Sequence, residues 1–205
     1  MDTSFREDSA ALYQEAIATF RDLLEAARAS GDREPTAMTL ATVDEAGRVS
    51  ARIVLLKSVD ADGFRLFTNY DSVKGAQIAR HPRVALCFHW KALREQVQVR
   101  VEGSAAKVPD AVSDAYFATR ARGSRIGAWA SLQSRELADR ATFEQRIAEF
   151  ERRFEGADVP RPPNWGGYAV APERIEFWYG AAHRLHERVT YVREGSRWSK
   201  GLLYP

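Results

Sequence analysis

Five short stretches of this chain concentrate side chains able to bind an anion or hold a planar ring. HRLHER, residues 183–188, packs two histidines and two arginines into six positions. Read as a strand, whose side chains alternate between faces, it puts Arg184, His186 and Arg188 on one side and His183, Leu185 and Glu187 on the other. Three cationic or switchable groups on one face suit an anion. The same letters read as His-x-x-His, yet on a strand those histidines face apart, and His81 and His89 stand at no ligand spacing, so no metal site is expected. RIVLLK, residues 52–57, sets Arg52 and Lys57 around the aliphatic run Ile53, Val54, Leu55 and Leu56. A buried unpaired charge is costly, so each cation must reach solvent, a carboxylate or an anionic ligand. Alternation sends the two to opposite faces, and a ligand shared by both requires a bulge or a subunit boundary.

FTNYDSVKG, residues 67–75, runs from strand texture into a helix start. Ser72 is a candidate N-cap, and Lys74 falls in the first turn, where free N–H groups and the helix dipole favour an anion. In YFATRARGSRIGAWASLQS, residues 116–134, Tyr116, Arg120 and Ser124 are spaced by four. One continuous helix would align them as a phenol, a guanidinium and a hydroxyl, a set that suits a phosphate monoester. Gly123 is a potential stop within that helix, and Asp114 or Glu144 is an alternative partner for Arg120. NWGGYAVAPERIEFWYG, residues 164–180, offers Phe177 and Tyr179 to a core and Trp178, on the opposite face, to a planar ring. Each cluster taken singly also has a plain structural account: strand-end cations reaching solvent, a capped helix, barrel aromatics. No Ser-His-Asp set or general base follows from spacing.

The elements that must position these groups are short. Residues 9–29 carry apolar side chains at Leu12, Ala16, Phe20, Leu23, Leu24 and Ala27, the pattern of an amphipathic helix, with Gly31 past its end. After Pro35 come β-rich runs separated by DEAG and DADG, the chemistry of antiparallel turns. A short helix is expected over 73–80, two strands at RVALCFHW and EQVQVRVEGSAAKV, and a helical insertion over 109–154 broken near 122–124 and 134. Strands return at RIEFWYG, HERVTYVRE and SRWSKGLLY. Helices inserted among many strands argue for a mainly β, α+β fold built on a small antiparallel barrel, as one domain spanning 1–205. The 205 residues suffice for a core.

With 30 basic against 28 acidic residues, nothing suggests nucleic acid as a partner. The lone Cys87 agrees with a reducing compartment. No run approaches the roughly 18 apolar residues of a membrane span, and the N-terminus lacks the pattern of a signal peptide, so a cytoplasmic protein with no membrane partner is the simplest expectation. Neither GxGxxG after a strand nor GxxxxGK[ST] occurs, leaving side chains to hold any phosphate.

RIVLLK, FTNYDSVKG, EQVQVRVEG, YFATRARGSRIGAWASLQS, WGGY, EFWYG and HRLHER, in this order from about residue 36 to the C-terminus, resemble the pyridoxamine 5′-phosphate oxidase family. The resemblance implies a homodimeric split β-barrel with FMN at the subunit interface. It also implies oxidation of pyridoxamine or pyridoxine 5′-phosphate to pyridoxal 5′-phosphate, with O2 reduced to H2O2. It assigns to FMN Arg52 and the strand Ile53, Val54, Leu55, Leu56 and Lys57, together with Phe67, Thr68, Lys74, Gln96, Gln133, Ser134, Trp178 and Arg188. It assigns to the substrate phosphate Lys57, Tyr116, Arg120 and Ser124, and to the substrate ring Arg184, Leu185 and His186, with Arg184 and His186 as the catalytic pair beside the carbon that gives up hydride. Phe67 stands where tyrosine is frequent and Val73 where arginine is frequent, a departure that bears on FMN affinity. MDTSFRED shows no counterpart of the arm that covers the substrate in some relatives. Phenazine-pathway oxidases on the same scaffold, and a non-catalytic binder of FMN or pyridoxal phosphate, are the alternatives.

Overall fold

In a computed structural model the chain is described from Thr3 to Pro205, with side chains from Ser9 onward; the MDTSFRED arm lies largely outside the described residues. The first helix, α1 (Thr3–Ala29), begins ahead of the expected residue 9 and buries Ala16, Ile17, Phe20, Leu23, Leu24 and Ala27; Ile17 joins the expected stripe, and Leu12 is only partly buried against the core. Phe20 is its anchor, fully buried with its ring 4.8 Å from Phe64 and 4.9 Å from Phe88. Burial of such a side chain contributes about 1.5–3 kcal/mol.

The strands are β1 (Ala37–Val43), β2 (Val49–Leu55), β3 (Ser58–Asp60), β4 (Gly63–Asn69), β5 (Arg83–Trp90), β6 (Val97–Lys107), β7 (Trp165–Tyr179), β8 (Glu187–Glu194) and β9 (Arg197–Leu203). All pair antiparallel, in the order β2-β1-β5-β6-β7-β4-β3, with β8 on β7 and β9 on β8. Alternation sends Met38, Leu40, Val84, Leu86, Phe88, Val97, Val99 and Val101 into one core under α1. The fold class expected from the sequence is the one observed. The run RVSARIVLLKSV, read as one strand, is two: β2 ends at Leu55 and Lys57 hands on to β3.

β7 is the organising element. One of its edges carries β6, while the other is shared, with Trp165–Val170 pairing to β4 and Arg174–Tyr179 to β8. The sheet therefore opens between β4 and β8. The stretch opposite Gly103 carries a register shift, and an added Cβ there would strike the Ala171 backbone.

The helices beyond α1 are α2 (Val73–Arg80), α3 (Asp110–Ala118), α4 (Arg122–Ala130) and α5 (Arg140–Arg153). The expected 73–80 helix is met residue for residue. The insertion breaks at 119–121, ahead of the expected 122–124, and again over 131–139, so Gly123 sits inside α4 and ends nothing. Thr119 helps close α3 by donating its hydroxyl to the Tyr116 carbonyl at 2.7 Å. α4 and α5 pack a second small cluster of Ile126, Ala130, Phe150, Phe154 and Val159.

HRLHER departs most from its expected form. Ala182–Arg184 make a 3-10 turn, with His183 and Arg184 both in left-handed backbone at φ 56° and 62°, and β8 begins only at Glu187. The one-face alignment of Arg184, His186 and Arg188 is therefore not present. A strand needs extended backbone at each position, and two successive left-handed residues reverse the chain direction.

Candidate active site

Between the end of β2, the last residues of β4, the start of α2 and the α3–α4 insertion lies a cleft of about 550 Å³. Its floor follows from local sequence. Ser72 caps α2, its hydroxyl accepting from the Gly75 N–H at 3.3 Å and donating to the Asn69 carbonyl at 2.7 Å. This turn aims Lys74 back over β4, where its ammonium donates to Thr68 Oγ1 at 3.1 Å and to Gln133 Oε1 at 2.9 Å. Burial, then the nearby Arg52 guanidinium, lowers the Lys74 pKa.

The opposite wall is aromatic. Phe67 stacks on Tyr116 with centroids 4.0 Å apart and 14° between planes, and Trp165 lies nearly parallel to both. Gly167 makes room for this stack, since a Cβ there would sit 2.8 Å from the Phe67 ring and 2.7 Å from Val108. Arg120 places its guanidinium 4.6 Å over the Trp165 ring. Its Nη1 is buried with no hydrogen-bond partner, and desolvation lowers its pKa. An orphaned guanidinium nitrogen in a cleft is a donor disposed for an anion.

The lining holds Lys57, Lys74 and Arg120 and no carboxylate. Cations without a counter-ion, beside stacked rings, have the chemistry suited to a phosphate-bearing planar ligand. Asp114, a partner considered for Arg120, is instead engaged by Arg161, and Glu144 by Arg140.

The structure brings together in this cleft Ile53, Val54, Leu55, Lys57, Phe67, Thr68, Lys74, Tyr116, Arg120, Ser124 and Gln133. Tyr116, Arg120 and Ser124 converge even though they do not share a helix: they come from α3, the connecting turn and α4. Arg52 lies behind the cleft, donating to the Leu40 carbonyl at 3.1 Å and to Thr42 and Gln77 side chains. Leu56 belongs to the core, and Ser134 sits outside the lining on an exposed turn at φ 73°.

The remaining sequence-predicted residues gather at the far end of β7. Trp178 faces Arg188 across the β7–β8 ladder and packs on the His186 ring at 4.5 Å. The Ala181 N–H donates to His186 Nδ1 at 3.2 Å, which leaves Nε2 to carry the ring hydrogen of the neutral form. Gln96 bonds His89 through its side-chain oxygen at 3.0 Å, and Arg184 and Leu185 are exposed. Thirteen residue-to-residue steps of strand run from Trp165 to Trp178, up to about 43 Å of contour at roughly 3.3 Å per step. Within one chain these residues do not line the cleft.

Sequence reasoning missed Asn69, Gly127, Ala128, Ser131 and Trp165 in the lining. The signal for Trp165 was the adjacent pair Gly166 and Gly167, whose lack of side chains allows Tyr70 and Phe67 to approach. It also missed Gln77 and Thr42, buried polar side chains that hold Arg52.

Among the described residues no helix is long and apolar enough to cross a membrane, and no group of three or more His, Cys, Asp or Glu side chains is placed to hold a metal ion. Comparison with known proteins gives two family matches. Residues 21–154 match the model described as pyridoxamine 5′-phosphate oxidase, and residues 165–205 match the pyridoxine 5′-phosphate oxidase C-terminal dimerisation region. A pyridoxine/pyridoxamine 5′-phosphate oxidase of Sphingopyxis alaskensis is 55% identical over 197 residues, 96% of this chain and 90% of that protein. One from Anaeromyxobacter dehalogenans is 56% identical over 189 residues, 92% of this chain and 94% of that protein. Among solved structures, PhzG from Burkholderia lata 383 in complex with tetrahydrophenazine-1-carboxylic acid is 31% identical, with a TM-score of 0.86 and 92% of each chain covered. A pyridoxamine 5′-phosphate oxidase-related, FMN-binding protein of Nostoc punctiforme shares the fold at a TM-score of 0.65 and 18% identity, covering 94% of this chain and 95% of that one. With an aromatic, cation-rich cleft on a curled antiparallel half-barrel and matches spanning nearly the whole sequence, the chain belongs to the pyridoxamine 5′-phosphate oxidase family.

Proposed function

We propose that this protein is a homodimeric, FMN-dependent oxidase that converts pyridoxamine or pyridoxine 5′-phosphate to pyridoxal 5′-phosphate, with O2 reduced to H2O2. The observation that carries this reading is the cleft itself, where three cations lack any lining carboxylate and a buried Arg120 nitrogen lacks any partner beside three stacked rings. Lys74 at the start of α2, with Thr68, Gln133 and, behind the cleft on β2, Arg52, are the groups suited to the flavin and its phosphate. Lys57, Tyr116, Arg120 and Ser124 are suited to the substrate phosphate. When bound, FMN supplies the two-electron redox chemistry, so the protein's part is orientation and electrostatics.

The second copy has a specific task in this reading. Gln96, Trp178, Arg184, His186 and Arg188 stand at the far end of β7, and a partner whose own β7 runs past this cleft would deliver them to the flavin and the substrate ring. The match of residues 165–205 to a dimerisation region supports that arrangement. In the assembled site Arg184 and His186 act on the ring, so their loss should depress kcat, whereas loss of a phosphate contact should mainly raise KM.

The likeness to PhzG, solved with a carboxylated tricycle, favours a second reading in which the substrate is a larger carboxylate. The joint presence of Lys57, Tyr116, Arg120 and Ser124 supports a phosphate instead. The test is to purify the protein, record its absorbance for bound FMN, then supply pyridoxine 5′-phosphate in air and follow aldehyde and peroxide. A yellow protein that makes both supports the proposal; a yellow protein that makes neither is a flavin binder, and the oxidase reading is wrong.

A further inference from the structure

We propose that Arg161 is a positioning residue for the phosphate end of the cleft, locking α3 to the base of β7 so that Tyr116 and Arg120 are held at a fixed distance from Trp165. The inference rests on reading the cleft as a phosphate-ester site. Arg161 lies four residues before Trp165, and its guanidinium spends all three nitrogens on two elements. Nε donates to Asp114 at 2.6 Å and Nη2 to Asp110 at 2.9 Å, both on α3, while Nη1 donates to the Trp165 carbonyl at 2.7 Å. Its side chain is only 11% exposed, although the carboxylates it meets are 85% and 59% exposed. These acids are solvated in their own right, so the arginine is not there to neutralise a buried charge. Its geometry is that of a rivet, a planar fork whose donors fix direction as well as distance.

What the rivet controls follows from the residues on either side of it. α3 has no side-chain N-cap, since Pro109 holds that position. Tyr116, on the last turn of α3, lies within 4° of parallel to Trp165, and Arg120, just past it, rests on the Trp165 ring. Arg120 has no lining carboxylate to aim it and an unpartnered Nη1, so its direction is set by the turn after α3 and by that ring face. Slack between α3 and Trp165 therefore passes directly into the clamp. A misplacement of about 1 Å in a positioned group can cost up to roughly 100-fold. Ser124 is held independently, because α4 is tied to the segment after α5 by Arg125 with Asp158 and by Arg122 with the Phe154 and Ala157 carbonyls.

The test uses the FMN-loaded dimer with three variants: Arg161→Ala, Arg161→Lys and the double change D110N/D114N. Arg161→Ala should raise KM for pyridoxine 5′-phosphate about tenfold, keep kcat within about twofold and leave flavin content unchanged. Calorimetric titration of the loaded enzyme with pyridoxal 5′-phosphate should show a matching loss of affinity, with no change for pyridoxal lacking the phosphate. Arg161→Lys, which keeps the charge and loses the fork, should recover only part of the affinity. D110N/D114N alters exposed side chains and should reproduce the direction of the effect in a folded protein; if Arg161→Ala does not fold, this variant decides alone. Unchanged affinity, or an equal loss for pyridoxal with and without phosphate, would overturn the positioning role. If the unaltered enzyme itself shows no preference for the phosphorylated ligand, the reading of the cleft fails instead, and the two failures are told apart by that control.

Discussion

The two ends of β7 handle arginine in opposite ways. At the Trp165 end Arg120 is desolvated, rests on an aromatic face and has no carboxylate in its cleft. At the Trp178 end Arg188 donates to Glu176 at 2.8 Å, and Arg100 and Arg174 reach the same carboxylate at 3.5 Å. Glu176 is among the most buried charged residues described, 2% exposed under three guanidinium groups. Within one chain, one end leaves its cations without a carboxylate, and the other gathers three arginines on a single buried carboxylate across the strand ladder. An arginine in a functional stretch is thus not yet a ligand-binding arginine; its nearest carboxylate decides how much of its charge is available.

The largest expected effect tests the uncompensated end. Arg120→Ala should raise KM for pyridoxine 5′-phosphate about 100-fold, equivalent to about 2.7 kcal/mol. Thermal stability should hold, because a desolvated cation with an unpartnered nitrogen leaves the fold, and flavin content should stay at the level of the unaltered protein. A colourless Arg120→Ala would show that this arginine serves the flavin and would dissolve the division between flavin and substrate cations.

Glu176→Gln tests the compensated end and should act on stability. The expected loss is about 2 kcal/mol, read from denaturant midpoints. This lies below the cost of breaking a fully buried pair because the three arginines keep 25–43% of their side chains exposed. If stability were unchanged and only flavin affinity moved, Glu176 would belong to the site and the contrast between the two ends would narrow.

A smaller effect concerns Lys74. Its pKa in the free protein is lowered by burial and by Arg52, so the folded state carries the charged ammonium at a cost. Because the folded value lies below the unfolded one, stability of the flavin-free protein should rise with pH between the two. A bound phosphate restores the charged form, so flavin affinity should fall as pH climbs through the lowered Lys74 value, earlier than for an ordinary lysine. Lys74→Met should flatten that limb in a fluorescence titration of FMN against pH.

The smallest effect lies at the outer edge of the compensated region, where Glu15 of α1 accepts from Lys200 at 2.6 Å and from the Tyr191 hydroxyl at 2.9 Å. The Lys200 hydrogen bond is the first cause of the lowered Glu15 pKa. Its stabilisation is present above the ordinary glutamate range and lost as pH falls through the lowered value. As a solvent-exposed pair it contributes under about 1 kcal/mol. Glu15→Gln should therefore lower the melting temperature slightly at neutral pH and match the unaltered protein in acid.

Most of the frame was legible in the sequence. The 73–80 helix follows from a serine cap and a proline stop, the hairpins from their Asp-rich turns, and the strand faces from alternation. Each of these signals is local, carried by residues within a few positions of one another. The candidate site was legible as residue types, and the cleft gathers eleven of those named. What was not legible was non-local or without a residue signature. The break at 119–121 contains neither glycine nor proline, and the left-handed pair His183 and Arg184 uses residues that seldom adopt that backbone.

By itself, the sequence determined the order of elements, the core stripe of α1 and the stock of cations and aromatics available for an anionic planar ligand. Only the tertiary structure decided which of those cations meet. Pairing β4 and β8 in turn along one edge of β7 gives the Trp165 and Trp178 ends of that strand different neighbours. The convergence of Tyr116, Arg120 and Ser124 came from packing two separate helices, and the commitment of Arg188 to Glu176 came from strand register, twelve residues apart in the chain. Charge availability depends on distances between segments remote in sequence, and those are set by burial and register together.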